Sequence, residues 1–256
     1  MTTLDLTPVE KPHSASLLSK VLAQGRYETR ATVTNGEQLL VSIILPLLAL
    51  AGLYFTGLFD TPDGPSTIDI ATPGIFALSV LSSGLTGQGI ATGFDRRYGV
   101  LQYLATTPLG PVGLLLGKVV AVLMVQTTQL VVLGSVALLL GWSPQSGGLV
   151  FALVFVALGA ITFTGLGLLI AGTVRPEATL ALTNISWVIF GALGGVVFPV
   201  AEFAGSVLIE YLPSAALGNG LRAALVEGAF DGGAFVILAI WAVVLSLGTI
   251  RWFKWR

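Results

Sequence analysis

The stretch FDRRYGVLQYLATTPLGPVGLLLGK, Phe94–Lys118, is a polar, arginine-bearing interruption in a chain that is otherwise almost continuously apolar. The runs on both sides of it are long and apolar enough to cross a membrane. Polar backbone and charged side chains are not tolerated against lipid, so this stretch must meet water at one membrane surface. The predicted membrane spans lie on both sides of this stretch, and their orientation depends on the side of the membrane on which it lies.

The composition predicts a polytopic membrane protein. Of the 256 residues, 54% are hydrophobic and 10% are charged, whereas an ordinary soluble domain has about 25% charged residues. Cysteine is absent, which excludes disulfides and thiolate metal sites, and the one histidine, His13, lies in a polar tail typical of a solvated residue. We therefore expect no metal site. The net charge of −1 argues against a nucleic-acid partner.

Six runs of roughly 20 residues or more predict membrane spans, and hence an all-α membrane fold. They are Leu39–Phe59, Ile70–Thr92, Val112–Leu140, Leu149–Val174, Ala178–Phe198 and Ala234–Phe253. The residues before them, 1–38, predict a cytoplasmic tail with an interfacial helix over Ser14–Gly36. Its apolar stripe consists of Leu17, Leu18, Val21 and Leu22. The alternative is a loosely ordered tail that leads into the first span.

The loop between the fifth and sixth spans, Pro199–Gly233, has helical periodicity interrupted by Pro213. Each half is near 12 residues, too short to cross a bilayer of about 30 Å. The pattern therefore predicts two short amphipathic helices, half-buried at the outer membrane surface.

The positive-inside rule gives the orientation. Eleven of the twelve Lys and Arg residues fall on the side that holds both termini and Phe94–Lys118, and only Arg222 falls on the other. We therefore predict that both termini and Phe94–Lys118 are cytoplasmic. The whole chain, residues 1–256, is expected to form one transmembrane domain in the cell membrane, surrounded by membrane lipid.

Several kinds of chemistry are missing from the predicted spans. Ionisable residues lie only near span ends, as Lys118, Glu177 and Arg251 do, which argues against an ion-driven carrier. Gly117-Lys118 lacks the Ser or Thr of a phosphate-binding loop, so the chain is not an ATPase, and no residue set predicts another enzyme. The buried polar residues that could hydrogen-bond either helices or a substrate are Gln88, Gln126, Gln129 and Asn184.

Several short motifs occur along the chain in an order that is typical of one transporter family. They are Arg26-Tyr27-Glu28, Asp95-Arg96-Arg97-Tyr98-Gly99-Val100-Leu101, Thr107-Pro108-Leu109, Gly117-Lys118, Tyr211-Leu212-Pro213 and Leu221-Arg222. With these motifs the full chain resembles the membrane subunit of ABC-2 type exporters, the efflux permeases for drugs, polysaccharides and lipids. It departs from the family pattern at Arg97 and Gln102, where acids are common, and at Val100, where Thr is common.

The resemblance implies that the region 94–111 contains a coupling helix, which docks in a groove of a separate cytoplasmic ATPase subunit. The expected contact residues are Phe94, Asp95, Arg96, Arg97, Tyr98, Gly99, Leu101 and Leu104. A hinge of Thr107, Pro108 and Leu109 would carry that contact into the third span. ATP and Mg²⁺ would belong to the partner, so this chain would bind no cofactor. The alternative is a loop whose arginines only set the topology.

The same resemblance implies a function. Two copies, or one copy and a related permease, would form a pathway for a substrate moved out of the cytoplasm or the inner leaflet. Pathway walls without charge favour an amphipathic or lipid-like substrate. Two alternatives stay open, namely a passive channel or facilitator, and a membrane scaffold or sensor that transports nothing.

Overall fold

The computed structural model describes residues 15–58, 64–197 and 207–254, and the regular secondary structure in these ranges is entirely helical. The all-α prediction is therefore confirmed for them. The α-helices are α1 (Leu17–Thr34), α2 (Gly36–Thr56), α3 (Thr67–Leu81), α4 (Gln88–Arg97), α5 (Val100–Ala105), α6 (Gly110–Leu139), α7 (Leu149–Thr173), α8 (Pro176–Val188), α9 (Val207–Glu210), α10 (Pro213–Arg222) and α11 (Gly232–Trp252). π-Helical turns at Ser82–Gly87, Ile189–Leu193 and Ala223–Glu227 continue α3, α8 and α10.

Four helical segments of the described chain are long and apolar enough to cross a membrane. They are Thr67–Arg97, Gly110–Leu139, Ser146–Thr173 and Gly232–Trp252. A shorter apolar helix, Ser42–Thr56, lies within the predicted first span. The predicted fifth span, Ala178–Phe198, corresponds to α8 and its π-turn, and its end at Phe198 lies outside the described residues.

Helix α7 lies at the centre of the bundle and packs against α3, α4, α10 and α11. Its side chains Phe155 and Phe163 are completely buried. At one crossing the backbones themselves touch, because a Cβ atom on Gly167 would lie 2.7 Å from Leu85 O and 2.9 Å from Gly84 O. Small residues at such a crossing let two apolar helices approach closely, which is how helices associate in lipid.

The apolar stripe predicted on the N-terminal helix is divided in the structure, because its three leucines are exposed and Val21 is buried. Leu17 and Leu18 on α1 are 52% and 67% exposed, and Leu22 is also exposed. The buried face of α1 instead carries Val21, Gln24, Gly25 and Glu28. Helix α1 thus packs on the bundle mainly through polar and small residues. Its leucines stay exposed, which is the arrangement expected of a helix that lies at a membrane surface.

Helix α10 corrects the predicted position of the second short helix. We expected it half-buried at a surface, but Ala215, Leu217 and Leu221 have no exposed surface. Small residues explain the difference, because Gly220 lies directly against the ring of Phe155 and so lets α10 enter the space between α3, α7 and α11. Residues 199–206 of the predicted pair lie outside the described residues.

The crossing at Gly167 gives a first test. Replacing Gly167 with Leu should lower the thermal melting temperature of the detergent-purified chain by several degrees, because the new side chain would force backbones apart at a cost of about 1–3 kcal/mol. Gly52→Leu is the matched control, since Gly52 is also helical but has open space around its Cα. Equal melting temperatures for Gly167→Leu and wild type would contradict the close crossing.

Candidate functional site

The ammonium group of Lys118 joins three helices. Lys118 lies in the third turn of α6 and its side chain has no exposed surface. Its Nζ atom is 2.8 Å from Oε1 of Glu28 on α1, 3.6 Å from Oδ2 of Asp95 on α4, and 3.4 Å from Oε1 of Gln88, also on α4. A buried charge is stable only with such partners, so α1, α4 and α6 are held together at this point.

Two further features of α1 support this group of residues. The Nε2 atom of Gln24 donates to Oε1 of Glu28 at 2.9 Å, which gives this carboxylate a second donor. The helices α1 and α6 lie in direct contact, because a Cβ on Gly117 would be 2.6 Å from Cγ of Gln24. We refer to Gln24, Glu28, Gln88, Asp95 and Lys118 as the Lys118 cluster.

Arg96, the residue after Asp95, points to a different helix. Its Nη1 atom donates to Ala171 O at 3.1 Å and to Val174 O at 2.7 Å, at the C-terminal end of α7. The last carbonyl groups of a helix lack intrahelical donors and carry partial negative charge, so a guanidinium group there both hydrogen-bonds them and complements the helix dipole. Arg96 thus fastens the end of α4 to α7.

The chain then reverses at Gly99 into the short helix α5. Gly99 has φ +77, a left-handed conformation that glycine adopts without steric cost. On α5, Leu101 is completely buried and packs in a core cluster with Leu114, Leu115, Val119, Leu168 and Phe253. Leu104 is partly buried against the same cluster.

The outward face of this region is aromatic and basic. Tyr98 and Tyr103 are 72% and 73% exposed, and Phe94 is 46% exposed. The rings of Phe94 and Tyr98 stack with centroids 6.2 Å apart, and Arg97 is exposed beside them. Exposed aromatic rings next to an arginine are typical of protein interfaces.

A groove runs beside these rings, between the end of α4 and the start of α8. Its volume is about 270 Å³, and Phe94, Arg97, Pro176, Glu177 and Leu180 contribute to its lining. The groove and the rings form one continuous surface at this end of the bundle.

The predicted contact residues therefore divide into two groups. Asp95, Arg96 and Leu101 contact other helices of the chain, and the side chain of Asp95 keeps 29% of its surface exposed. Their direct contact with a partner stays a prediction. Phe94, Arg97 and Tyr98 are accessible, and so is Tyr103. Sequence reasoning assigned a polar or apolar character to each residue, but not the direction in which its side chain points.

The predicted hinge consists of turn residues between α5 and α6. Thr107 donates through Oγ1 to Leu104 O at 2.6 Å, and Leu109 packs on Gly113 and the cluster around Leu101. Pro108 is exposed in the turn. The role of this turn as a hinge stays a prediction.

The four polar residues proposed for a substrate pathway do not line one surface. Gln88 belongs to the Lys118 cluster, and Gln129 is buried between helices, accepting from Ser83 at 3.1 Å and donating to Ser42 O at 3.0 Å. Gln126 is buried without a hydrogen-bond partner among the described residues, and Asn184 is exposed on α8. Gln129 therefore connects helices, which is the alternative role that the sequence left open.

Sequence reasoning did not identify Gln24 and Glu28 as site residues. A signal was present, since the two residues are four apart and so lie on one face of α1, together with Val21. What the sequence could not supply is that this face meets Lys118, 90 residues further along the chain.

Lys118 offers the sharpest test of this arrangement. Lys118→Met should lower the free energy of unfolding by on the order of 3–5 kcal/mol, because it leaves buried carboxylates without a cation. The variant Lys118→Met with Glu28→Gln and Asp95→Asn should recover part of that loss, since it removes the unpaired charges as well. Thermal melting of the purified chain measures both, with Lys20→Met on α1 as control. An unchanged melting temperature for Lys118→Met would show that the cluster does not hold α1 and α4 on α6.

The comparisons with known proteins agree with the resemblance seen in the sequence. The family described as ABC-2 type transporter matches residues 20–226, which is most of the chain and spans α1 through the π-turn after α10. A comparison with curated proteins finds no match. Together with the four long apolar helices, the family match makes this a multi-pass membrane protein. The chain belongs to the ABC-2 type transporter family, as the membrane permease subunit of an ABC transporter.

Proposed function

We propose that this chain is the permease subunit of an exporter driven by separate cytoplasmic ATPase subunits, which dock on the segment Phe94–Leu104, here named the coupling segment. One observation carries the proposal. The coupling segment presents exposed aromatic rings to the outside, while its residues Asp95, Arg96 and Leu101 contact three different helices. A loop that served only to set topology would need neither feature.

The contacts of the coupling segment supply a route for movement. Asp95 lies against Lys118 of α6, Arg96 holds the last carbonyls of α7, and Leu101 sits in the cluster that includes Phe253 after α11. A displacement imposed on the exposed rings by a partner would therefore act on three long helices together. Packed helices of this kind shift as units rather than deform continuously.

The proposal assigns separate roles to the predicted site residues. Phe94, Arg97, Tyr98 and Tyr103 would contact the ATPase, while Asp95, Arg96 and Leu101 would act as positioning residues. ATP and Mg²⁺ would bind to the partner alone. The turn Thr107–Leu109 would allow α5 to change its angle to α6.

The proposal also includes the topology and assembly inferred from the sequence. It has six spans, with both termini and the coupling segment in the cytoplasm, in the cell membrane. A second permease copy, or a related one, would complete the pathway. Helix α8 supports this assembly, because Asn184 is exposed among the exposed side chains Leu180, Ile185 and Val188, and such a polar residue can hydrogen-bond a neighbouring helix in lipid. The substrate would be amphipathic or lipid-like.

Removing the exposed side chains tests the docking surface. The double variant Arg97→Glu, Tyr103→Ala should reduce co-purification of a Walker-motif ATPase from native membranes at least about tenfold, the effect of losing about 1.4 kcal/mol of binding. Both side chains are exposed, so the melting temperature should stay that of wild type.

Phe55→Ala is the matched control, since Phe55 is an aromatic residue 82% exposed elsewhere, on α2. Full retention of the ATPase by the double variant would remove the coupling segment as the docking surface. Absence of any ATPase with the wild-type chain would favour a channel or a scaffold instead.

The absence of cysteine makes the orientation directly measurable. Single-cysteine variants at Tyr98 and at Glu227, both exposed, can be labelled in intact cells with a membrane-impermeant maleimide. We expect labelling at position 227 in intact cells and labelling at position 98 only after the membrane is opened. The reverse pattern would invert the proposed topology.

A further inference from the structure

A second cavity lies at the end of the bundle opposite to the coupling segment. Its volume is about 540 Å³, and it is an open cavity bordered by the start of α3, the end of α10 with its π-turn, and the start of α11. Ile70, Val226 and Phe230 form apolar walls, and the polar residues include Arg222, Glu227 and Asp231. Ligand sites in proteins have this size and this mixture of apolar walls with a few polar groups.

Arg222 is a buried cation with only neutral partners. Its guanidinium group donates to Val196 O at 2.9 Å, to Gly195 O at 2.8 Å and to Oδ1 of Asn219 at 2.9 Å. It forms no ion pair with any described residue. Burial lowers its pKa to about 10, so it stays protonated at neutral pH. Three of its five N–H donors are used in these bonds.

The charges of the cavity are ordered by depth. Trp241 Nε1 donates to Tyr211 O at 2.9 Å. The start of α10 therefore lies beside the middle of α11, ten residues after Asp231. Gln145 N donates to Leu225 O at 2.9 Å, which places the π-turn after α10 beside the loop that joins α6 and α7. From its first residue to its last, α10 therefore runs toward this end of the bundle. Arg222 is buried whereas Glu227, five residues later, is exposed, so the cation lies deeper in the cavity than this carboxylate.

We propose that this cavity binds the zwitterionic headgroup of an amphiphile, with its anionic group at Arg222 and its ammonium group at Glu227 and Asp231. A purely anionic ligand would meet two carboxylates at the mouth, and a purely cationic one would leave Arg222 without a counterion. A zwitterion supplies an anionic group to Arg222 and a cationic group to the two carboxylates. A lipid bearing phosphoethanolamine or phosphocholine places its phosphate deeper than its ammonium, which is the order of charges in the cavity.

The apolar walls take the part of the amphiphile next to the headgroup. Ile70, Val226 and Phe230 border the same cavity as the charges, so they exclude water from one side of the bound ligand. The site does not depend on the proposed export, because binding there requires neither an ATPase nor a second copy of the chain.

Binding of short-chain lipids to the purified full-length chain tests the site. Native mass spectrometry in a non-ionic detergent can compare dioctanoyl phosphatidylethanolamine, dioctanoyl phosphatidylglycerol and an octyl trimethylammonium salt. We expect saturable binding of the phosphatidylethanolamine, and at least about tenfold weaker binding of the anionic and cationic probes. Equal or tighter binding of either singly charged probe would overturn the proposal.

Two variants locate the binding. Val226→Trp fills the cavity, and Glu227→Gln removes a carboxylate from its exposed mouth while leaving the packing unchanged. Each should weaken phosphatidylethanolamine binding, by about tenfold or more for Val226→Trp and by several-fold for Glu227→Gln. Val236→Trp, on the exposed face of α11, is the control and should bind like wild type. Wild-type affinity in Glu227→Gln with wild-type melting temperature would show that the lipid binds elsewhere, and that Arg222 serves only to hold the carbonyls of residues 195 and 196.

Discussion

The ammonium group of Lys118 has no contact with solvent, and that condition constrains one end of the molecule. A charge in such a place needs counter-charges and hydrogen-bond acceptors within a few ångströms, and these come from α1 and α4. The N-terminal helix, the end of α4 and the third turn of α6 are consequently fixed relative to one another. The coupling segment begins one residue before Asp95, so it starts from an anchored position rather than from a free loop.

Both ends of the bundle use an arginine in the same way. Arg96 binds the carbonyl groups at the end of α7, and Arg222 binds the carbonyls of residues 195 and 196 that follow the π-turn after α8. Each guanidinium group thereby meets backbone oxygens that have no helical donor. At the two ends, therefore, arginines that read in sequence as surface charges fix the ends of neighbouring helices.

Sequence reasoning predicted the class of fold well and the packing less well. Long apolar runs identify membrane helices because hydrophobic length is a local property of the sequence. The direction of a side chain is not local. Leu101 and Asp95 were assigned to an outer surface, yet one lies in a core cluster and the other beside Lys118. The same limit applies to α10, whose depth depends on the fit of Gly220 against Phe155, a residue far away in the chain.

The pairing of Glu28 with Lys118 also bears on how the chain is made. The two residues are separated by 90 positions, so Glu28 is synthesised well before its cation. During that interval α2, α3 and α4 emerge, while α1 has a carboxylate that cannot yet be neutralised by its final partner. The pair that fixes α1 on α6 can therefore form only after α6 has been synthesised.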